Sequence, residues 1–141
     1  MTEYLSHSVP DTVACAARLA KTVKAGDIVA LYGTLGAGKT EFCRGFIHTL
    51  SPDKSEVPSP TFTLLQIYDT PNFPIYHFDM YRLKSPDEAY EIGIEDAFAE
   101  GVSLIEWPEK IGKLLPQKHI AVTLEIQGSD RLITIKDNRH E

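Results

Sequence analysis

The sequence predicts a three-layer α/β fold over 1–141, one domain built on a mixed sheet that ends in a C-terminal antiparallel hairpin. Three observations predict it. The short apolar run "DIVALY" (27–32) leads through a glycine-rich turn into an amphipathic pattern, the order of a buried strand and the helix after it. Strand and helix patterns interleave early in the chain, and strands dominate late. The tail, "IAVTLEI", then "QGSD", then "RLITI", alternates apolar and polar residues around a turn, as hairpins do.

Taken in order, Ser8, Val9, Pro10 and Asp11 form an S-x-x-D helix start, and Val13, Ala16, Ala17, Ala20 and Val23 recur at helical spacing until Gly26 ends the segment. "DIVALY" is rich in branched residues and suits a strand covered on both faces. After the glycine turn, Phe42, Cys43, Phe46, Ile47 and Leu50 make one helical stripe, which Ser51-Pro52 stops. "TFTLLQIYD" and "IYHFDMY" read as strands separated by the turn-forming "TPNFP". Ser85, Pro86 and Glu88 supply an N-cap, a first-turn proline and a capping-box acid for an acidic helix running to about Gly93. "VSLIEW" is a further buried strand.

With 141 residues, 43% of them hydrophobic, the chain can fill one core, burying roughly two thirds of its extended surface. Cys15 and Cys43 fall on two predicted helices without a C-x-x-C pair, so they read as buried thiols rather than a disulfide or metal framework. The net charge of -6 is uneven, because no Lys or Arg occurs between Lys84 and Lys110 while eight acids do. Such a face repels a nucleic-acid backbone; it reads as a solvated surface, or as a docking face for a basic partner. "MTEYLSHSVPDT" has no basic start or continuous apolar segment, and no run approaches membrane-spanning length. The expected location is the cytoplasm, away from membranes.

Gly33 to Thr40, "GTLGAGKT", carries the spacing G-x-x-x-x-G-K-T between that strand and that helix. Gly33, Gly36 and Gly38 can adopt backbone angles denied to other residues, which turns successive N–H groups of the loop, from Gly33 through Leu35, Gly36, Ala37, Gly38, Lys39 and Thr40 to Glu41, onto phosphate oxygens. The start of the helix adds its positive end. Lys39 would place a point charge on the terminal phosphates, and the Thr40 hydroxyl would take one position on magnesium. This is the P-loop NTPase arrangement, and the ligands it predicts are a nucleoside triphosphate, with ATP expected, and Mg2+. The guanine-reading N-K-x-D pattern is absent, which leans the base towards adenine without fixing it.

Magnesium in such a site needs a carboxylate at the end of a neighbouring strand, and Asp79, after "IYHF", and Glu106, after "VSLI", are the two candidates. One would hold the metal and the other would orient the attacking water. In "VPSPTF", Pro58 and Pro60 stiffen the chain before Thr61, whose hydroxyl either senses the terminal phosphate or sits in a plain strand-entry turn.

Together these pieces resemble the bacterial TsaE (YjeE) family, P-loop ATPases needed to make threonylcarbamoyladenosine in tRNA. The likeness rests on "GTLGAGKT" (33–40), "VPSPTF" (57–62), "HFDMYRL" (77–83) and "LIEWPE" (104–109), in that order and spacing. The resemblance implies that Thr40 and Glu106 are magnesium-associated, that Asp79 is the acid needed for hydrolysis, and that Thr61 is a switch threonine. It also implies nucleotide contacts from Thr12, at the start of the first helix, and Arg131, in the final hairpin. Trp107 is either functional or a core or interface residue, His77 either positions Asp79 or is a satisfied core group, and Tyr81 and Arg82 are candidates to contact a partner or the phosphates. Two positions depart from the family pattern: Thr34 stands where an acid is usual, and Glu41 where a second threonine is frequent. Neither removes a phosphate ligand.

The function expected from the resemblance is an ATPase whose hydrolysis supports repeated turnover of a TsaD-TsaB complex, with tRNA met only through that complex. Slow hydrolysis alone is expected, since the cradle lacks an evident arginine finger. The alternatives are a small-molecule kinase of the same fold, for which Arg44, Arg82, Arg131 and Arg139 are scattered rather than clustered in a lid, and a nucleotide-binding switch with little turnover.

Overall fold

Residues 1–51, 57, 60 and 63–139 are described by the computed structural model. The run "DIVALY" forms β2 (Ile28–Tyr32), whose two neighbours are β5 (Val102–Glu106) and β6 (Ile120–Gln127), both parallel to it. Beyond β5 lies parallel β4 (Ile75–Asp79), then antiparallel β3 (Leu65–Tyr68). Beyond β6, the expected hairpin partner β7 (Asp130–Asp137) runs antiparallel, and β1 (Thr2–Ser6) forms the edge. The sheet is therefore mixed, seven-stranded, in the order β1-β7-β6-β2-β5-β4-β3.

The parity of the middle strands sorts their side chains into two cores. Val29, Leu31, Leu104 and Val122 face α1 (Val9–Ala20) and α2 (Lys39–Leu50), meeting Ala16, Phe42 and Phe46. Ile28, Phe78 and Ile105 face the other way, onto Ala89 of α3 (Glu88–Glu91) and Ile94 and Ala97 of α4 (Ile94–Glu100). Helices thus cover both faces, which explains why β2 and β5 read as unbroken apolar runs. Phe42 and Phe46 are fully buried, and each contributes about 1.5–3 kcal/mol of apolar burial.

Ser8 caps α1 as its S-x-x-D pattern requires, its Oγ accepting from the Asp11 N–H at 3.3 Å. The helix stops at Ala20, short of the expected Gly26, because Thr22 turns back onto the Leu19 carbonyl with both its N–H and its hydroxyl. Val23 still packs against the core from outside the helix. The acidic segment also differs from expectation. Its helix α3 ends just before Gly93, as expected, but begins at Glu88 without a Ser85 side-chain cap, and a second helix, α4, follows directly after Gly93 (φ 87°); the Glu88 carboxylate accepts the Lys84 N–H at 3.0 Å. Cys15 and Cys43 are free and buried, as expected. Among the described residues no helix is long and apolar enough to cross a membrane.

Candidate active site

The glycine loop leaves the C-terminal end of β2 and enters α2 directly. A Cβ on Gly33 would lie 2.8 Å from the Leu124 carbonyl oxygen of β6 and 3.2 Å from the Ala37 Cβ, so the sheet leaves no room for a side chain there. Gly38 (φ 103°) is the N-cap of α2, in the left-handed region where glycine carries no Cβ penalty. Among the described residues no side chain caps this helix start, so its first-turn amides and the positive end of the helix dipole are available to an anion.

The loop, residues 34–41, forms one side of a cleft of about 250 Å³; Asp79, Glu106 and Trp107 form the other. The register explains the meeting. Leu31 of β2 pairs with Glu106 of β5, and Glu106 pairs with Asp79 of β4, so both acids end their strands level with the loop. The two carboxylates are nearly buried, at 3% and 5% exposure. The Thr40 hydroxyl donates to Glu106, 3.0 Å from Oε1 and 3.3 Å from Oε2. The Tyr81 N–H donates to Asp79 Oδ1 at 3.0 Å.

Lys39 Nζ donates to the Gly33 carbonyl and, at 3.3 Å, to that of Thr34, and it sits 3.8 Å from the centroid of the Trp107 ring. Burial pushes its pKa below the ordinary lysine value, while the charges of Glu106, Glu109 and Asp79 oppose that fall. The result is a cation fixed at the cleft rather than one moving freely in water.

On the far side of the loop a second cavity, about 190 Å³, brings Thr12 and Arg131 to Gly36, Gly38 and Glu41. Arg131 reaches the Gly36 carbonyl at 3.3 Å, and the Thr12 hydroxyl lies 2.7 Å from that of Ser6. Leu35 is exposed at the loop tip, Ala37 is buried with its N–H on the Thr34 carbonyl, and Glu41 pairs with Arg44 at 2.7 Å. Thr61 lies outside the described residues.

The family model described as "Threonylcarbamoyl adenosine biosynthesis protein TsaE" matches residues 6–133. The chain belongs to the TsaE family. Its relatives include the protein of Rickettsia typhi named "tRNA threonylcarbamoyladenosine biosynthesis protein TsaE", 50% identical over 131 residues that make up 92% of this chain and 91% of that one. A Bacillus subtilis protein of the same name is 38% identical over 135 residues, 93% of this chain and 84% of its own. The crystal structure of Bacillus subtilis YdiB superposes with a TM-score of 0.81 at 30% identity, covering 97% of this chain and 85% of that one. The role that comes with the TsaE family is in threonylcarbamoyladenosine biosynthesis.

In this TsaE chain some site contacts escape the linear pattern. Among the described residues the partner of His77 is Glu106 rather than Asp79: its Nε2 lies 2.7 Å from Glu106 Oε2, with both side chains buried. Trp107 adopts φ 60° and packs against both Lys39 and the Tyr81 ring, the latter at 4.8 Å. Ser6, Ser8 and Ser129 line the Thr12–Arg131 cavity. The only sequence signals were the H-x-D spacing in β4, which puts His77 and Asp79 on one face, and the Glu-Trp pair after β5.

Proposed function

We propose that this chain is a Mg2+-dependent ATPase, slow alone, which couples ATP hydrolysis to turnover of a TsaD-TsaB complex as threonylcarbamoyladenosine is formed beside the tRNA anticodon. The observation that carries the reading is the meeting of the glycine loop with two buried strand-end carboxylates in one cleft. The chemistry of the donors fits a hard divalent cation: the Thr40 hydroxyl and the Glu106 carboxylate are oxygen ligands already in contact. Magnesium, when bound, supplies charge neutralisation for the terminal phosphates. Around it, the loop amides and Lys39 hold the triphosphate, Thr40 and Glu106 hold the metal position, and Asp79 orients the attacking water. Thr12 and Arg131 are the contacts proposed for the rest of the nucleotide, a reading supported by the cavity they share with Gly36 and Gly38 of the loop.

Indirect contact with tRNA is supported by charge. Asp87, Glu91, Glu95, Asp96 and Glu100 are exposed along α3 and α4 with no basic residue between Lys84 and Lys110, so this face repels a phosphate backbone and leaves tRNA to the partner complex. A pull-down with purified TsaD and TsaB, carried out with ATP, ADP or no nucleotide and paired with phosphate release, tests the coupling. Retention that changes with the nucleotide, together with faster release in the presence of both partners, is expected. Equal retention in all three states would remove the coupling, and ATP loss that required a small acceptor would make the chain a kinase.

A further inference from the structure

The ring of His77 is fully buried on β4, yet among the described residues its Nδ1 has no hydrogen-bond partner. Among those residues its polar contact is Nε2 to Glu106 Oε2 at 2.7 Å. A histidine whose job was to fill space would cost more here than the isoleucine or phenylalanine that serve elsewhere on the same strand. The other oxygen of the carboxylate, Oε1, is the nearer acceptor for the Thr40 hydroxyl, at 3.0 Å. Two donors on two different elements therefore fix the plane of one carboxylate that could otherwise rotate. The register makes this possible, since Asp79 faces Glu106 across the β4–β5 pair and His77, two residues earlier, lies diagonal to it on the same face.

We infer that His77 is a positioning residue for the magnesium site: its Nε2–H holds Glu106 Oε2 and so aims Oε1 at the place shared with the Thr40 hydroxyl. The inference rests on the reading of Glu106 as magnesium-associated. The Nε2–H tautomer follows from the acceptor on that side and the lack of one at Nδ1. Cys43, buried on α2, lies beside the pair, with its sulfur within 4.8 Å of the His77 and Glu106 ligand atoms. Hydrogen-bonded partners of metal-ligating carboxylates typically change metal affinity by about 10–100-fold when removed.

The test compares two amides of different reach in the full chain. In His77→Gln the amide nitrogen reaches the point that Nε2 occupies, whereas in His77→Asn it falls short; His77→Leu removes the donor. Mn2+ uptake by ADP-loaded protein is followed by electron paramagnetic resonance, and ADP binding without metal by calorimetry. The expected result is Mn2+ affinity lowered about tenfold or more in the Asn and Leu variants, most of it restored in Gln, with metal-free ADP affinity unchanged in all. Equal Mn2+ affinities for Gln and Asn, or ADP affinity falling in step with metal affinity, would overturn the role given to His77. Should the Leu variant fail to fold, the Gln and Asn pair decides alone. Wild-type protein that took up no Mn2+ would instead overturn the magnesium reading of Glu106, and the role of His77 with it.

Discussion

Thr40 is the residue on which loop and sheet converge, because its single hydroxyl contacts both oxygens of Glu106 across a separation of 66 positions in the chain. Thr40→Val keeps the shape and removes that donor. Phosphate release from Mg-ATP is expected to fall about 100-fold, within the range for loss of one preorganised polar group, while metal-free ADP binding, measured by calorimetry, stays near wild type. An unchanged release rate would separate Thr40 from the metal. Most of the loop residues could be named from the sequence, since phosphate cradles are contiguous and their spacing is visible in one line. His77 could not be assigned its partner in that way: its contact depends on β4 lying beside β5 in one register, and strand adjacency is not written in any local stretch.

Among the elements, α1 and α2 approach closely at Gly45, where an added Cβ would lie 2.9 Å from the Val13 Cα and 3.0 Å from its carbonyl oxygen. Two effects oppose each other in Gly45→Ala. Helix propensity gains about 1 kcal/mol, and overpacking against backbone costs about 1–3 kcal/mol. Because two of the three obstructing atoms are Val13 backbone, which cannot swing aside as a side-chain tip can, overpacking wins, and urea unfolding should show a net loss of up to about 2 kcal/mol. A stabilised variant would mean that the helices shift apart without cost. The strand, loop and helix around the cradle were readable because their apolar patterns are long and their boundaries marked by glycine. β1 was not, since its five residues, "TEYLS", form an edge strand with most positions exposed, and little apolar alternation marks it. Gly93 does mark the end of α3, but α4 after it is not legible, since the same left-handed glycine that closes one helix also starts the next and has no side chain to signal a cap.

For the whole molecule, burial of weak acids sets the alkaline limit of stability. Burial pushes the thiol of Cys43 well above its ordinary value of 9.0 and raises those of Cys15, Tyr32, Tyr68 and Tyr76 as well. The folded chain keeps these protons while the unfolded chain releases them, so the unfolded state binds fewer protons and stability falls as pH rises above about 9. Lys39, shifted down, acts in the opposite sense but is one group against several. Urea midpoints are expected to drop between pH 8 and pH 10, and Cys43→Ala should flatten the drop by up to about 1.4 kcal/mol per pH unit above 9. A slope identical to wild type would place that titration elsewhere.

The same global arrangement gives the site its chemistry. Four parallel strands, β6, β2, β5 and β4, end on one edge, which puts the loop, Glu106 and Asp79 together from three distant parts of the chain. Calorimetric titration of the folded chain with Mg-ATP at low salt addresses that arrangement most directly. Saturable heat from the wild-type chain, lost in Lys39→Ala, is the predicted outcome; no heat from folded wild-type protein, or equal binding by the Lys39→Ala variant, would contradict it.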